Sequence, residues 1–303
     1  MTSHHYRAVP PSLSYELYPP ASPEAGDAVL RTIDELGATR PDYVSVTYSG
    51  TPARRRASVD LIDHLLISTR LRPVAHLCCV GETRESLDLL VRQFVGLGVR
   101  GILALRGDLP QDPGGHRGEL SFAQDLVELI REVEIRHGAS LAGGRLAVGV
   151  AAYPTKHPES PSFTHDVEVL LAKQRSGADF AITQVYFEPA QYARLIRAAR
   201  AAGVIIPIIP GVMPADSVRR LERLALMAGV RPDAGLLHRL ETAESESERR
   251  RIGVRAAAAL ARAAFDEGAP GVHLYTFNDF RASVDVVEEL DIPAARFAGA
   301  VPA

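Results

Sequence analysis

Glu16 stands inside the run SYELYPP, where a strand built on Leu13, Tyr15 and Leu17 has no structural need for a carboxylate. Further along the chain, polar and titratable residues recur wherever a short β-rich run ends. Thr47 stands near the end of YVSVTY, His76 lies in PVAHLCC, and Arg106, Gly107 and Asp108 follow GILAL. Tyr153, Lys156 and His157 stand in AAYPTKHPE; Thr183, Gln184 and Tyr186 in TQVYF; Tyr275, Thr276, Asn278 and Asp279 in LYTFND. Carboxyl, imidazole, amine and amide groups are the groups that carry enzyme chemistry. Each alone has a plainer reading. A strand glutamate is usually an edge residue, a lone histidine is usually hydrogen-bonded core, and RGD is a strand-to-loop turn. His64 and His76 lack metal-ligand spacing, and Gly98, Gly101 and Gly107 make no phosphate loop. The shared position of these groups at the ends of successive runs argues for an enzyme.

Eight runs carry them: 13–18, 43–48, 73–79, 101–107, 147–152, 180–186, 205–211 and 271–277. Most are continuously apolar, as parallel strands buried on both faces must be. Amphipathic windows such as ETRESLDLLVRQFVGLG and PAQYARLIRAARAAG separate them, each closed by a glycine suited to a helix end. The pattern predicts an α/β fold, a (β/α)8 TIM barrel with extra helices before the eighth strand, in which polar groups gather at one end. A doubly wound sheet fits less well, since no early G-x-G-x-x-G occurs. The interval 212–270 must hold about two helices or more, with ETAESESERRR starting one. No linker or repeat divides the chain, so one catalytic domain over residues 1–303 is expected.

Composition narrows the setting. The 303 residues are 46% hydrophobic and 23% charged with net charge −3, which suggests neither nucleic acid nor an anionic membrane as partner. No run reaches the length of a membrane helix, and MTSHHYRAVPPS lacks the apolar centre of a secretory leader. The two cysteines, Cys78 and Cys79, are adjacent and make neither a disulfide framework nor a zinc site. A cytoplasmic location is expected.

With these residues assembled, the chain resembles the methylenetetrahydrofolate reductase family in its single-domain bacterial form. SYELYPP, YVSVTY, AHLCCVG, GILALRGDLP, VAAYPTKHPE, GADFAITQVYF, IPIIPGVMP and HLYTFN carry the likeness over nearly the whole chain. The resemblance implies reduction of 5,10-methylenetetrahydrofolate to 5-methyltetrahydrofolate, in the service of methionine synthesis, with NADH or NADPH as hydride donor. It makes Glu16 the general acid for folate N10, Asp108 the carboxylate beside the pterin and the cationic intermediate, and Gln184 a contact of folate and nicotinamide. It places Thr47, His76, Arg106, Gly107, Tyr153, His157, Asp166 and Lys173 around the cofactor, and Gln184, Tyr186, Asn278 and Arg281 around the folate. Metal is not implied.

The chain also departs from the family. TYSGTPARRR replaces the small residues that follow strand two. Val169 and Ala172 stand where an Asn and an Arg face the flavin diphosphate, a loss of ~3 kcal/mol of charge-assisted binding. Val218 stands where an aromatic stacks on the folate, and Asp279 replaces an arginine for which Arg281 is the stand-in. The expectation is therefore a reductase that binds FAD weakly or not at all and passes hydride directly in a ternary complex. The alternatives are an ordinary FAD-dependent ping-pong reductase, with Arg54–Arg56 adding phosphate contacts, and a non-catalytic folate-binding or partner-subunit barrel. Oligomeric state, polyglutamate preference and the choice between NADH and NADPH stay open.

Overall fold

The computed structural model describes residues 11–48, 51–109, 118–137 and 144–292. The leader reading of residues 1–10 and the Ser49–Gly50 part of the departure after strand two fall outside them. The elements alternate as expected: β1 (Ser12–Leu17), α1 (Gly26–Ala38), β2 (Tyr43–Val46), α2 (Pro52–Ser68), β3 (Pro73–Cys78), α3 (Arg84–Leu97), β4 (Gly101–Leu105) and α4 (Ala123–His137). Then come β5 (Ala147–Ala152), α5 (Phe163–Arg175), β6 (Phe180–Thr183), α6 (Pro189–Ala201), β7 (Ile208–Ile209) and β8 (Gly211–Val212). Three helices, α7 (Val218–Ala228), α8 (Ala234–Thr242) and α9 (Glu246–Asp266), precede β9 (Gly271–Tyr275) and α10 (Phe280–Leu290).

All the pairings are parallel, in the order β7-β6-β5-β4-β3-β2-β1-β9-β8. The seventh stave, expected as one strand over 205–211, is two dyads. β7 pairs with β6 and β8 with β9, so the break at Pro210 is where the barrel closes. The physical reason is the missing N–H of proline, which removes a ladder bond; the Pro210 carbonyl still accepts from His273 N at 3.0 Å. The result is a (β/α)8 TIM barrel whose extra helices fill the interval before the last strand.

Strand alternation divides each stave between two environments. Leu13, Tyr15 and Leu17 face the helices in the main core, together with Val44, Val46, Leu77 and Ile102. Val74, Leu103, Ile182 and Ile209 form a second, inner cluster with Tyr43 and Phe180 packed on it, the side-chain plug that fills such a barrel. Above that plug, toward the strands' carboxyl ends, the interior turns polar. α9 begins as the acidic stretch suggested, with Ser245 capping the Glu248 N–H at 3.1 Å.

The long α9 is seated on the loop between β8 and α7 through Gly253. A Cβ built there would lie 2.2 Å from the Ala215 carbonyl oxygen, and neither backbone can yield cheaply. G253A should therefore destabilise the fold by about 1–3 kcal/mol, read as a lower urea midpoint at unchanged slope.

Candidate active site

Parallel pairing fixes which side chains enter the barrel mouth. Glu16 is in register with Ser45 of β2 and Tyr275 of β9, and Ser14 with Tyr43 and His273, so these positions share the inner face. Glu16 is only 7% exposed, although it is a carboxyl group. The loop after β9 holds the end of β1 in place. Thr276 Oγ donates to the Glu16 carbonyl at 2.7 Å. The Asn278 amide grips Tyr18 from both sides, accepting from its N–H at 2.9 Å and donating to its carbonyl at 2.8 Å. Phe277 and Asn278 both have left-handed backbones, with φ of 50° and 59°, a cost the surrounding bonds must hold in place. Phe277 uses that geometry to stack on Tyr18, with centroids 5.4 Å apart.

The groups facing the Glu16 carboxyl are neutral. Tyr18 and Tyr275 are phenols whose ionisation is pushed further up by burial and by Glu16 itself. His76 Nε2 lies 3.9 Å from Glu16 Oε2, and burial pushes the imidazole down to about 4. With water excluded and no cation supplied by these neighbours, burial raises Glu16 to about 7, offset in part by hydrogen bonding to Tyr18. A carboxylic acid that titrates near neutrality is suited to protonating a substrate nitrogen. Below it, His273 Nδ1 meets Ser14 Oγ at 2.8 Å, a second buried histidine kept neutral by desolvation.

The far wall is built by β4, β5 and α5. Gly107 turns at φ 86° over Cys78, where an added Cβ would sit 3.1 Å from the Cys78 Cβ, and this brings Asp108 out to the rim. Arg106 is held by Glu159 at 2.6 Å. Tyr153 stands edge-on to His157 at 4.7 Å. Asp166 accepts from the His157 N–H at 3.0 Å. Lys173 is buried, donates to the Ala151 carbonyl at 2.9 Å, and is pushed down to about 8 by that burial. Val169 and Ala172 lie one and two turns along α5 from Asp166. Gln184, at the end of β6, turns its carbonyl oxygen onto the Val185 N–H at 2.8 Å. Thr47 directly follows β2, and its carbonyl accepts from Ser58 Oγ at 2.7 Å.

The surroundings of the other expected folate contacts vary. Tyr186 is buried in the main core, stacked on Tyr192 of α6 at 6.0 Å, behind the mouth instead of in it. Both ends of the Asn278 amide are taken up by Tyr18, which makes it a clamp on β1. Arg281 is exposed, with its guanidinium over the Phe280 ring at 5.6 Å. Asp279 caps α10 and pairs with Arg220 at 3.4 Å. Val218 packs into the small cluster of Ala215, Leu221, Leu236 and Leu240. Of the arginine cluster on α2, Arg55 is bonded to Glu82 and lies over Tyr48. The Tyr18–Phe277 pair went unnoticed as a unit in the sequence, because its two rings are brought together only by the β1–β9 pairing.

Fold and mouth together define a TIM-barrel enzyme with a buried acid on its first strand. A family model described as methylenetetrahydrofolate reductase matches residues 2–291. The 5,10-methylenetetrahydrofolate reductase of Salmonella typhimurium is 32% identical over 282 residues, covering 93% of this chain and 91% of that protein. A Caenorhabditis elegans protein named a probable methylenetetrahydrofolate reductase (NADPH) is 28% identical over 92% of this chain and 42% of its own length. Among solved structures, an uncharacterized Clostridium thermocellum protein that binds two copies of 5-methyl-5,6,7,8-tetrahydrofolic acid superposes with TM-score 0.65 at 15% identity, covering 94% of this chain and 95% of that one. That likeness shows the shared fold. The chain belongs to the methylenetetrahydrofolate reductase family and is an oxidoreductase.

The burial of Glu16 has a thermodynamic signature. Its folded value of about 7 lies above the ordinary 4.5, so the folded protein binds this proton more tightly than the unfolded chain. The corresponding stability is full below about pH 4.5 and is lost as pH rises through 7. E16Q, which stays neutral, should match the wild type near pH 4 and exceed it by about 3 kcal/mol above pH 8. Urea unfolding at the two pH values checks this.

Proposed function

We propose that this protein reduces 5,10-methylenetetrahydrofolate to 5-methyltetrahydrofolate with hydride taken directly from NADH or NADPH. The observation that carries the reading is the buried Glu16 carboxyl, held at the mouth with an ionisation near neutrality. Glu16 gives its proton to N10 of the bound folate as the N10–methylene bond breaks, leaving an N5-iminium. Hydride from nicotinamide C4 adds to the iminium carbon, forming the methyl group and the oxidised nucleotide. Asp108, on the rim, supplies the negative charge that holds the pterin and stabilises the cation. Gln184, whose amide oxygen is taken up by the Val185 N–H, contributes its NH2 group to contacts with both substrates. Water then returns a proton to the Glu16 carboxylate.

The residues present fit a flavin diphosphate poorly. Arg106 is bonded to Glu159, Lys173 is buried against a carbonyl, and Val169 and Ala172 offer no hydrogen bond. Both substrates must then occupy the mouth at once. The retained Tyr153, His157, Asp166 and Lys173 group favours a second reading, the same reaction through bound FAD in a ping-pong cycle. The reading assigns one catalytic domain to residues 1–303, working in the cytoplasm on small molecules, without nucleic acid or membrane.

Purified protein should be colourless and should oxidise NADH or NADPH only when methylenetetrahydrofolate is present, with intersecting initial-rate lines. E16Q should lower kcat about 10²–10⁴-fold while folate binding is kept. Copurified stoichiometric FAD with parallel lines would return the protein to the flavin cycle, and no turnover under either condition would leave a folate binder.

A further inference from the structure

At the barrel mouth a buried imidazole without a hydrogen-bond partner faces a buried carboxyl that is bonded by Tyr18. His76 is 5% exposed, and its Nε2 is buried without a hydrogen-bond partner. The nearest charged atom is Glu16 Oε2 at 3.9 Å, about 1 Å beyond hydrogen-bond range. Glu16 comes from β1 and His76 from β3, alternate staves that contribute to one interior layer. We infer that His76 is a positioning residue for the acid: it closes on Glu16 and donates Nε2–H to the carboxylate as the proton departs for the substrate.

The surroundings leave this task to His76. From β9, the Tyr275 hydroxyl donates to the Thr183 carbonyl at 2.8 Å and is engaged there. His273, also on β9, is bonded to Ser14 and adds no positive charge, since burial holds it neutral. From β2, Ser45 sits in register beside Glu16 and brings a hydroxyl only. Cys78, on the same strand as His76, is a thiol pushed up to about 12 by burial and stays protonated. Tyr18 already bonds the carboxyl and fills one of its positions; from α7, the exposed Arg223 acts through its charge on Tyr18 and is not among the groups that shift Glu16. A buried carboxylate needs more than one donor. The neutral imidazole does not compete for the proton, because its own affinity for one lies well below that of Glu16. It offers a hydrogen bond to the anion and no alternative destination. The inference rests on the reaction assigned above, with Glu16 as its acid.

The test compares H76F, which fills the ring's volume without a donor, with H76Q, which restores an N–H. H76L replaces the phenyl variant if circular dichroism shows that it does not fold. The first readout is the titration of the Glu16 carboxyl in unliganded protein by infrared difference spectroscopy, assigned against E16Q. Loss of the donor should raise the midpoint by at least about one pH unit, and H76Q should return it to near the wild-type value. The second readout is kcat, which should fall about ten- to a hundredfold in H76F at unchanged KM for the folate and recover in H76Q. The inference is overturned if wild type and H76F titrate together, or if H76Q fails to restore what H76F lost. Absence of turnover in the unaltered protein would sink the assigned reaction, while the titration still decides the contact.

Discussion

A carboxyl group shut away from water resists ionisation, and much of the barrel mouth can be understood from that one constraint. Glu16 lies on the inner face of β1, above a plug of Val74, Leu103, Ile182 and Ile209 that excludes solvent from below. Its neighbours are phenols and a neutral imidazole, and among the described residues no arginine or lysine is one of the groups that shift it. In such a setting the protonated form persists to neutrality, and an acid that would be spent at the surface is available to a substrate. The same desolvation keeps His76 and His273 uncharged, so these two imidazoles add no charge to the inner face beside Glu16.

The acid is also fixed in place from outside its own strand. Thr276 and Asn278 reach from the loop after β9 to the backbone of Glu16 and Tyr18, and the loop bends through two successive left-handed residues to do so. Strain of that kind persists only where the environment over-determines it. Here the return consists of three hydrogen bonds and the Tyr18–Phe277 stack. Barrel closure therefore sets the position of the Glu16 carboxyl: the loop after the last strand anchors the end of the first.

The β4–β5–α5 wall makes a contrast. It keeps charged residues that the resemblance assigns to a cofactor, but their bonds are internal to the protein, with Arg106 on Glu159 and Lys173 on a strand carbonyl. Cations already bonded inside the protein have less to give a diphosphate than free ones, because a ligand must first displace the internal partner. Together with Val169 and Ala172, this internal pairing is the ground on which direct hydride transfer is proposed.

The sequence by itself determined the alternation of strand and helix, because buried parallel strands must be apolar runs and their connecting helices amphipathic. It also marked Glu16, since a carboxylate in such a run has no structural reason to be there, and it marked the mouth by gathering Asp108, Gln184 and His157 at strand ends. It did not show that the seventh stave breaks at Pro210, because a proline removes one ladder bond yet leaves its carbonyl free to pair. Nor could it show which polar residues face a substrate and which face the protein. Asn278 reads as a ligand contact in LYTFND, yet its amide is bound at both ends to a backbone 260 positions away. Tyr186 reads as part of the mouth, yet it packs on α6 behind it. His76 and Glu16 are unremarkable as a pair in the chain and lie 3.9 Å apart in the barrel. Residue type and local periodicity specify what a group can do, whereas closure of the barrel, which brings distant strands into register, decides which partner it meets.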